Sequence, residues 1–234
     1  MGIHQALIGG YPSPSGGGGN PTWTLVDSEF KQSVGASFSV DNVQTGDFLY
    51  WTQSGDEAGS IATLTGWSDT FSDTDNTPAF KEQYRVATSN EGTVTVTSES
   101  DTEAGGLMVF RCSTGATSID ANAYASSEGS SGTPVVPSAN FNNTGTAEAY
   151  SLCIVNGYVD DDQTNIASCT GLTVAGVANG SRFFFFMTFR SSLMVGYAVI
   201  PNAGTTAPAG AGNTWSNGAI SDEWNSTAWY IKPS

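Results

Sequence analysis

The chain contains one histidine, His4. Nucleophilic catalysis of the Ser-His-Asp or Cys-His kind needs an imidazole held against its nucleophile. His4 precedes the segment Tyr11-Pro12-Ser13-Pro14-Ser15-Gly16-Gly17-Gly18-Gly19-Asn20-Pro21. Its prolines lack a backbone donor and its glycines are costly to order, so neither a helix nor a central strand is expected there. A histidine set apart in this way argues against hydrolytic triads and against His-rich zinc or iron sites. Gly16–Gly19 is not a phosphate loop, because no Lys follows it and no strand-to-helix context surrounds it.

Carboxylates are the remaining chemical resource: 22 acidic residues face seven basic ones, for a formal net charge of −15. Two carboxylates at a fixed separation across a cleft would suit glycoside hydrolysis. Asp47, Glu57, Asp69, Glu82, Glu148 and Asp222 are candidates, but no spacing pairs them. Two acidic clusters, Asp69 with Asp73, Asp75 and Asn76, and the triplet Asp160-Asp161-Asp162, have calcium-type ligands. The first lacks EF-hand spacing and its terminal glutamate. The consecutive side chains of the second diverge on an extended backbone. Both are therefore read as solvated turns. The chain is read as non-enzymatic, with no catalytic residue, no metal and no cofactor.

Cys112 and Cys153 lie in apolar runs and read as small buried hydrophobes; Cys169 is the third cysteine, and no pair has metal-ligand spacing. A Cys153–Cys169 disulfide is the less favoured alternative, because the count is odd and no leader is recognised. Residues 1–10 carry no Lys or Arg and only the short apolar run Ala6-Leu7-Ile8, unlike a secretory leader. Ala6 stands where a myristoylation signal has Ser or Thr. The sequons at Asn142, Asn179 and Asn225 are then read as chance matches in an Asn/Ser/Thr-rich chain.

The four arginines each flank an aromatic: Tyr84-Arg85, Phe110-Arg111, Arg182-Phe183 and Phe189-Arg190. The preferred reading lays each stem along apolar surface at a strand end. The sharper one pairs it with a carboxylate of a neighbouring subunit. Trp51, Trp67, Trp215, Trp224 and Trp229 could form a sugar-stacking platform, although packing is the preferred role. Trp215 and Trp224, with polar neighbours, are the candidate glycan contacts.

The elements that must position these residues are strands. Only 12% of the 234 residues are charged, about half the usual globular share. The surface is therefore covered by uncharged polar groups, as in extracellular β proteins, lectin-like modules and virion proteins. The acidity disfavours nucleic-acid partners, and no stretch approaches the roughly 20 apolar residues of a membrane span. Strands are expected at 22–26, 36–40, 46–51, 82–88, 93–98, 106–112, 118–124, 149–155, 183–189 and 193–200. Thr93-Val94-Thr95-Val96-Thr97 places valines on one face and threonines on the other. Residues 82–88 and 93–98 are separated by a hairpin-like connection, and 126–133, rich in Ser and Gly, reads as a loop.

No helical periodicity is sustained. The expectation is an all-β, antiparallel β-sandwich, jelly-roll-like, with an extended N-terminal arm. Residues 1–21 form the arm and its Pro/Gly tether, and 22–234 the body. A sub-boundary is expected in the Gly/Ala-rich stretch 201–219, after which Trp224 to Ile231 return to the sheet. Two readings compete for the arm: an unstructured terminus, and a docking segment with Ile3, Leu7, Ile8 and Tyr11 as contacts.

The succession Gly46-Asp47-Phe48-Leu49-Tyr50-Trp51, Thr77-Pro78-Ala79-Phe80, Tyr84-Arg85-Val86, Thr93–Thr97 and Met108-Val109-Phe110-Arg111 resembles β-sandwich appendage proteins of tailed bacteriophages. Those proteins carry a Gly-Asp-apolar strand, a Tyr-rich strand and an apolar strand ending in Arg. The resemblance covers Gly46 to Cys112 and brings no active site with it. It implies a virion structural protein, namely a capsid decoration or cement protein, a head fibre or a tail fibre. The arm would dock on other capsid or tail proteins, and the body would form a homo-oligomer. The alternatives are a carbohydrate- or receptor-binding module that meets a host surface glycan, and a carboxylate-dependent polysaccharide hydrolase or lyase.

Overall fold

Alternating and continuous apolar runs of five to nine residues, punctuated by Gly, Asn and Asp, favour extended segments that pair through their backbones. The computed structural model describes residues 3–4, 20–32, 35–55, 61, 63–73, 79–99, 104–130, 146–147, 150–160, 168–170, 182–187, 191–199, 205–206, 214–216 and 223–233. Among the described residues there are strands and no helix. They are β1 (Ile3–His4), β2 (Trp23–Gln32), β3 (Ser37–Val43), β4 (Phe48–Gly55), β5 (Ser68–Asp73), β6 (Ala79–Val86), β7 (Gly92–Thr97), β8 (Ala104–Cys112) and β9 (Ala116–Ser130). There follow β10 (Thr146–Ala147), β11 (Leu152–Asp160), β12 (Ser168–Thr170), β13 (Arg182–Met187), β14 (Ser191–Val199), β15 (Thr205–Thr206), β16 (Thr214–Ser216) and β17 (Glu223–Pro233).

The strands form an antiparallel β-sandwich. One sheet has the order β1-β2-β8-β4-β6-β5 and the other β13-β14-β11-β17-β9. Their facing sides share one core. Phe30, Phe48, Tyr50, Phe80, Met108 and Phe110 come from the first sheet, and Leu152, Ile154, Tyr158, Leu193, Val195, Trp229 and Ile231 from the second. The other side of the six-stranded sheet is covered by the β3–β7 ribbon. There Phe38, Val40, Val43, Val94 and Val96 pack on Leu49, Trp51, Leu107 and Val109.

This third layer explains the continuous apolar runs of β4 and β8. A strand buried on both faces needs no polar phase, and β4 is buried at every position. The ribbon itself is covered on one face only. Val94 and Val96 are buried and Thr93, Thr95 and Thr97 exposed, as the alternation predicts.

Three expectations are corrected. The 82–98 stretch is not a hairpin: β6 pairs with β4 and β5, whereas β7 pairs with β3. The connection instead carries the chain from one layer to the next, held by Gly46 N–H to Ala87 O at 2.8 Å and Glu91 N–H to Val43 O at 3.1 Å. Residues 126–130 of the expected loop are strand, with Ser126 to Ser130 opposite Thr227 to Glu223. Backbone pairing with a strong partner strand overrides the weak strand propensity of Ser and Gly. The strand expected from 149 begins at Leu152, after Tyr150 turns the chain at φ 65°.

Ile3 and His4 pair with Phe30 and Glu29 at the edge of the six-stranded sheet; Leu7, Ile8 and Tyr11 lie outside the described residues. In the stretch 201–219 two short pairings occur, β10 with β15 and β12 with β16. The jelly-roll expectation turns on connections that run outside the described residues.

Candidate functional site: a buried carboxyl between the sheets

Strand β6 alternates Phe80, Glu82, Tyr84 and Val86 toward the second sheet, so Glu82 enters an otherwise apolar phase. It is fully buried. Its register partner on β4 is Thr52. Across the sandwich, β11 and β17 set Asn156 directly opposite Thr227, which brings two polar side chains to the same spot. Tyr158 donates to Glu82 Oε1 at 2.6 Å. Thr227 Oγ1 donates to the same oxygen and Trp229 Nε1 to Oε2. The Tyr50 hydroxyl is also bonded to this carboxyl.

Further hydrogen bonds and a ring contact fix these donors. Thr52 Oγ1 and the Tyr158 hydroxyl are 2.6 Å apart. Asn156 Nδ2 donates to the Tyr50 hydroxyl at 2.9 Å and to Thr227 Oγ1 at 3.1 Å. Phe80 stacks on Tyr158 with ring centroids 4.2 Å apart. The cluster thus ties β4 and β6 of one sheet to β11 and β17 of the other.

The electrostatics follow from burial. Desolvation pushes the Glu82 carboxyl above its ordinary range, against the pull of its four donors. Burial first, and then the Glu82 charge, push the Tyr50 and Tyr158 phenols well up, so both keep their protons and remain donors. These four donors are neutral. Its neighbour Lys81 points to the opposite face, where Nζ donates to Ile61 O at 2.8 Å and Thr63 Oγ1 at 2.9 Å and meets Asp69 at 3.2 Å.

The other candidate carboxylates separate in the same way. Asp47, 1% exposed, takes Arg111 Nε at 2.7 Å on Oδ1 and Arg111 Nη2 at 2.7 Å on Oδ2. It also accepts from Gln44 N–H at 2.8 Å, while Arg111 reaches Asn42 O at 2.8 Å. This clasp ties the irregular end of β3 to the turn into β4, where Asn42 and Gly46 have φ of 61° and 86°. Asp69 accepts from Thr63 and Gln83 at 2.7 and 2.9 Å, and these bonds and Lys81 hold its carboxyl low against the desolvation that would raise it. Glu57, Glu148, Asp222, Asp75, Asn76, Asp161 and Asp162 lie outside the described residues. Among the described residues no group of three or more His, Cys, Asp or Glu could hold a metal ion.

The arginine alternatives resolve at two positions. Arg111 pairs with Asp47, and Arg85 pairs with Glu91 at 2.5 and 2.6 Å while lying 5.3 Å from the Trp67 ring centroid. Both carboxylates belong to the same chain. Arg182 opens β13, and Arg190 lies outside the described residues. Trp51 packs edge-on to Phe38 at 4.7 Å and Trp229 lies in the inter-sheet core, so both have packing roles. Trp215 sits opposite Cys169 and Trp224 opposite Val159 in backbone register. Cys112 and Cys153 are buried free thiols, which removes the Cys153–Cys169 disulfide; burial pushes the Cys153 thiol far up.

In the sequence Glu82 is one of six candidate carboxylates that no spacing distinguishes. Its strand phase does distinguish it: Glu82 is the only charged residue of the Phe80-Glu82-Tyr84-Val86 set, and that set faces the core. No protein-family model, curated protein or solved structure matches the chain.

Proposed function

We propose that the chain is a non-enzymatic structural protein of a tailed-phage virion, of the decoration, cement or fibre type, with an N-terminal docking arm. The observation that carries this reading is where the residues of the resemblance fall. Phe48, Tyr50 and Phe110 build the inter-sheet core, Val94, Val96 and Val109 the ribbon-side core, and Asp47 and Arg111 the clasp between them. A pattern whose members serve packing and turn closure suits a scaffold rather than a substrate site. Ion pairs satisfied inside the chain, as at Arg85 and Arg111, suit a body that projects or cements. The partners on this reading are other capsid or tail proteins and further copies of the chain, and the location is the virion.

The test is a deletion of residues 1–20 in a particle-assembly assay. The expected outcome is a folded body that no longer joins particles. Normal incorporation of the truncated chain would overturn the docking-arm reading, and imaging of intact particles would place the protein on head or tail.

A further inference from the structure

The cluster around Glu82 contains three groups that together constitute acyl-transfer chemistry. Thr227 supplies a hydroxyl whose proton is directed at a carboxyl. Asn156 supplies a carboxamide, its nitrogen 3.1 Å from that hydroxyl oxygen. Glu82 supplies the proton acceptor. All three are buried, with Glu82, Asn156 and Thr227 each 0% exposed. The Asn156 carbonyl oxygen has no hydrogen-bond partner among the described residues, a costly state for a buried acceptor.

We propose that Thr227 and Asn156 become joined by an ester within the sandwich core, with Glu82 moving the proton. In its ionised form Glu82 takes the proton of Thr227 Oγ1 as that oxygen bonds to Asn156 Cγ. The tetrahedral centre then collapses, the Cγ–Nδ2 bond breaks, and Glu82 returns the proton to the departing nitrogen. One ammonia leaves, one ester forms and the carboxylate is regenerated, with no oxidant or co-reactant.

Four features favour the step. First, Asn156 and Thr227 are direct cross-strand partners. Such pairs have Cβ atoms about 4.5–5.5 Å apart. An ester interposes two atoms between them, as a disulfide does across about 3.5–4.5 Å, so the pair draws together slightly as the bond forms. Second, the strands hold nucleophile and acyl group together, which replaces a bimolecular encounter by an intramolecular one. Third, turning the amide over about Cβ–Cγ brings Oδ1 to the Tyr50 hydroxyl, whose one proton swings from Glu82 to the developing oxyanion. Fourth, burial excludes the water that would hydrolyse the product. Tyr158 and Trp229 hold the carboxyl in place as positioning residues.

The test is the intact mass of the denatured full chain, followed by peptide mapping. The expected mass is lower than that of the sequence by one ammonia, and the digest contains a branched peptide joining the segments around Asn156 and Thr227. Thr227→Ser keeps the cross-link. Thr227→Val and Glu82→Gln restore the full mass. Because Asn156 precedes Gly157, a succinimide would lose the same ammonia, but it would appear in a linear peptide and persist in Thr227→Val. That result, or a wild-type chain at full mass, overturns the proposal. If Glu82→Gln does not fold, the Thr227→Ser and Thr227→Val pair still decides it.

Discussion

Glu82 is an acid whose surroundings oppose its charge. Its partners Tyr50, Tyr158, Thr227 and Trp229 are neutral donors, and burial is the larger influence on its titration. The folded state therefore binds its proton more tightly than the unfolded chain, where a glutamate titrates at about 4.3. The resulting stability is fully present below that unfolded value and is lost as pH rises through the higher folded value. Carboxylates such as Glu91, held low by the Arg85 hydrogen bonds, act in the opposite sense and lose their contribution on acidification. The Glu82 part is isolated by subtracting the urea-unfolding profile of Glu82→Gln from that of the wild type. The difference is expected to shrink as pH rises above that unfolded value, and a difference independent of pH would count against a carboxyl whose proton is held more tightly by burial. Glu82→Ala should be costlier at every pH, by about 3 kcal/mol or more, because several buried donors lose their acceptor together.

The Asp47–Arg111 clasp is a second residue-scale case. Asp47 is almost wholly buried whereas the Arg111 side chain is 35% exposed. Its value lies between a surface pair and a buried one. Asp47→Asn keeps the shape but gives up the charge and one of the two acceptor oxygens facing the guanidinium. A loss of about 1–3 kcal/mol in chemical denaturation is expected. Arg111→Lys should lose a similar amount, since an ammonium cannot make the two-pronged contact. If Arg111→Lys were neutral, the fork geometry would not matter to the turn.

At the scale of elements, the six-stranded sheet depends on close approach at two glycines of β8. A Cβ on Gly105 would stand 2.8 Å from both the Phe38 ring and the Trp51 ring, and one on Gly106 would meet the Phe30 ring. The two positions face opposite layers, so each closes a different core. Gly106→Ala is expected to destabilise by about 1–3 kcal/mol through displacement of Phe30. Thr95→Ala, on the exposed face of β7, should stay within about 0.5 kcal/mol. Comparing their thermal midpoints separates tight packing from general sensitivity of the sheet.

These elements also mark what was legible in the chain. The Thr/Val alternation of β7 and the unbroken run of β4 announce one covered face and two, respectively. The partner of β7 was not legible: Ser89-Asn90-Glu91-Gly92 is a local turn signal, whereas pairing with β3 is settled by the ribbon's need to cover Leu49, Trp51, Leu107 and Val109. Strand β9 hid for a related reason. Its Ser and Gly residues have little intrinsic preference for strands, and they are extended because β17 offers a backbone ladder. For the site, the strand phase of Glu82 was readable, but Tyr158, Thr227 and Trp229 lie 76 to 147 residues away along the chain, beyond any local pattern.

For the whole molecule, the two sheets are built from successive parts of the chain. The six-stranded sheet and its ribbon end at Cys112, and the five-stranded sheet starts at Ala116. Such a division would permit two independent domains if each part buried its own apolar surface. It does not. Phe48, Tyr50, Phe80, Met108 and Phe110 find their cover in the second sheet, and the donors Tyr158, Thr227 and Trp229 that satisfy Glu82 come from there too. A chain ending at Gly115 would leave a large apolar face and a half-satisfied carboxyl in water. Such a face favours association over a soluble monomer. The full chain is therefore expected to unfold in one cooperative transition, coincident by tryptophan fluorescence and by far-ultraviolet circular dichroism. The 1–115 fragment is expected to aggregate or to lack fixed tertiary structure. Two separate transitions in the full chain, or a soluble, cooperatively folding 1–115 fragment, would show that the shared core and the Glu82 cluster do not couple the sheets.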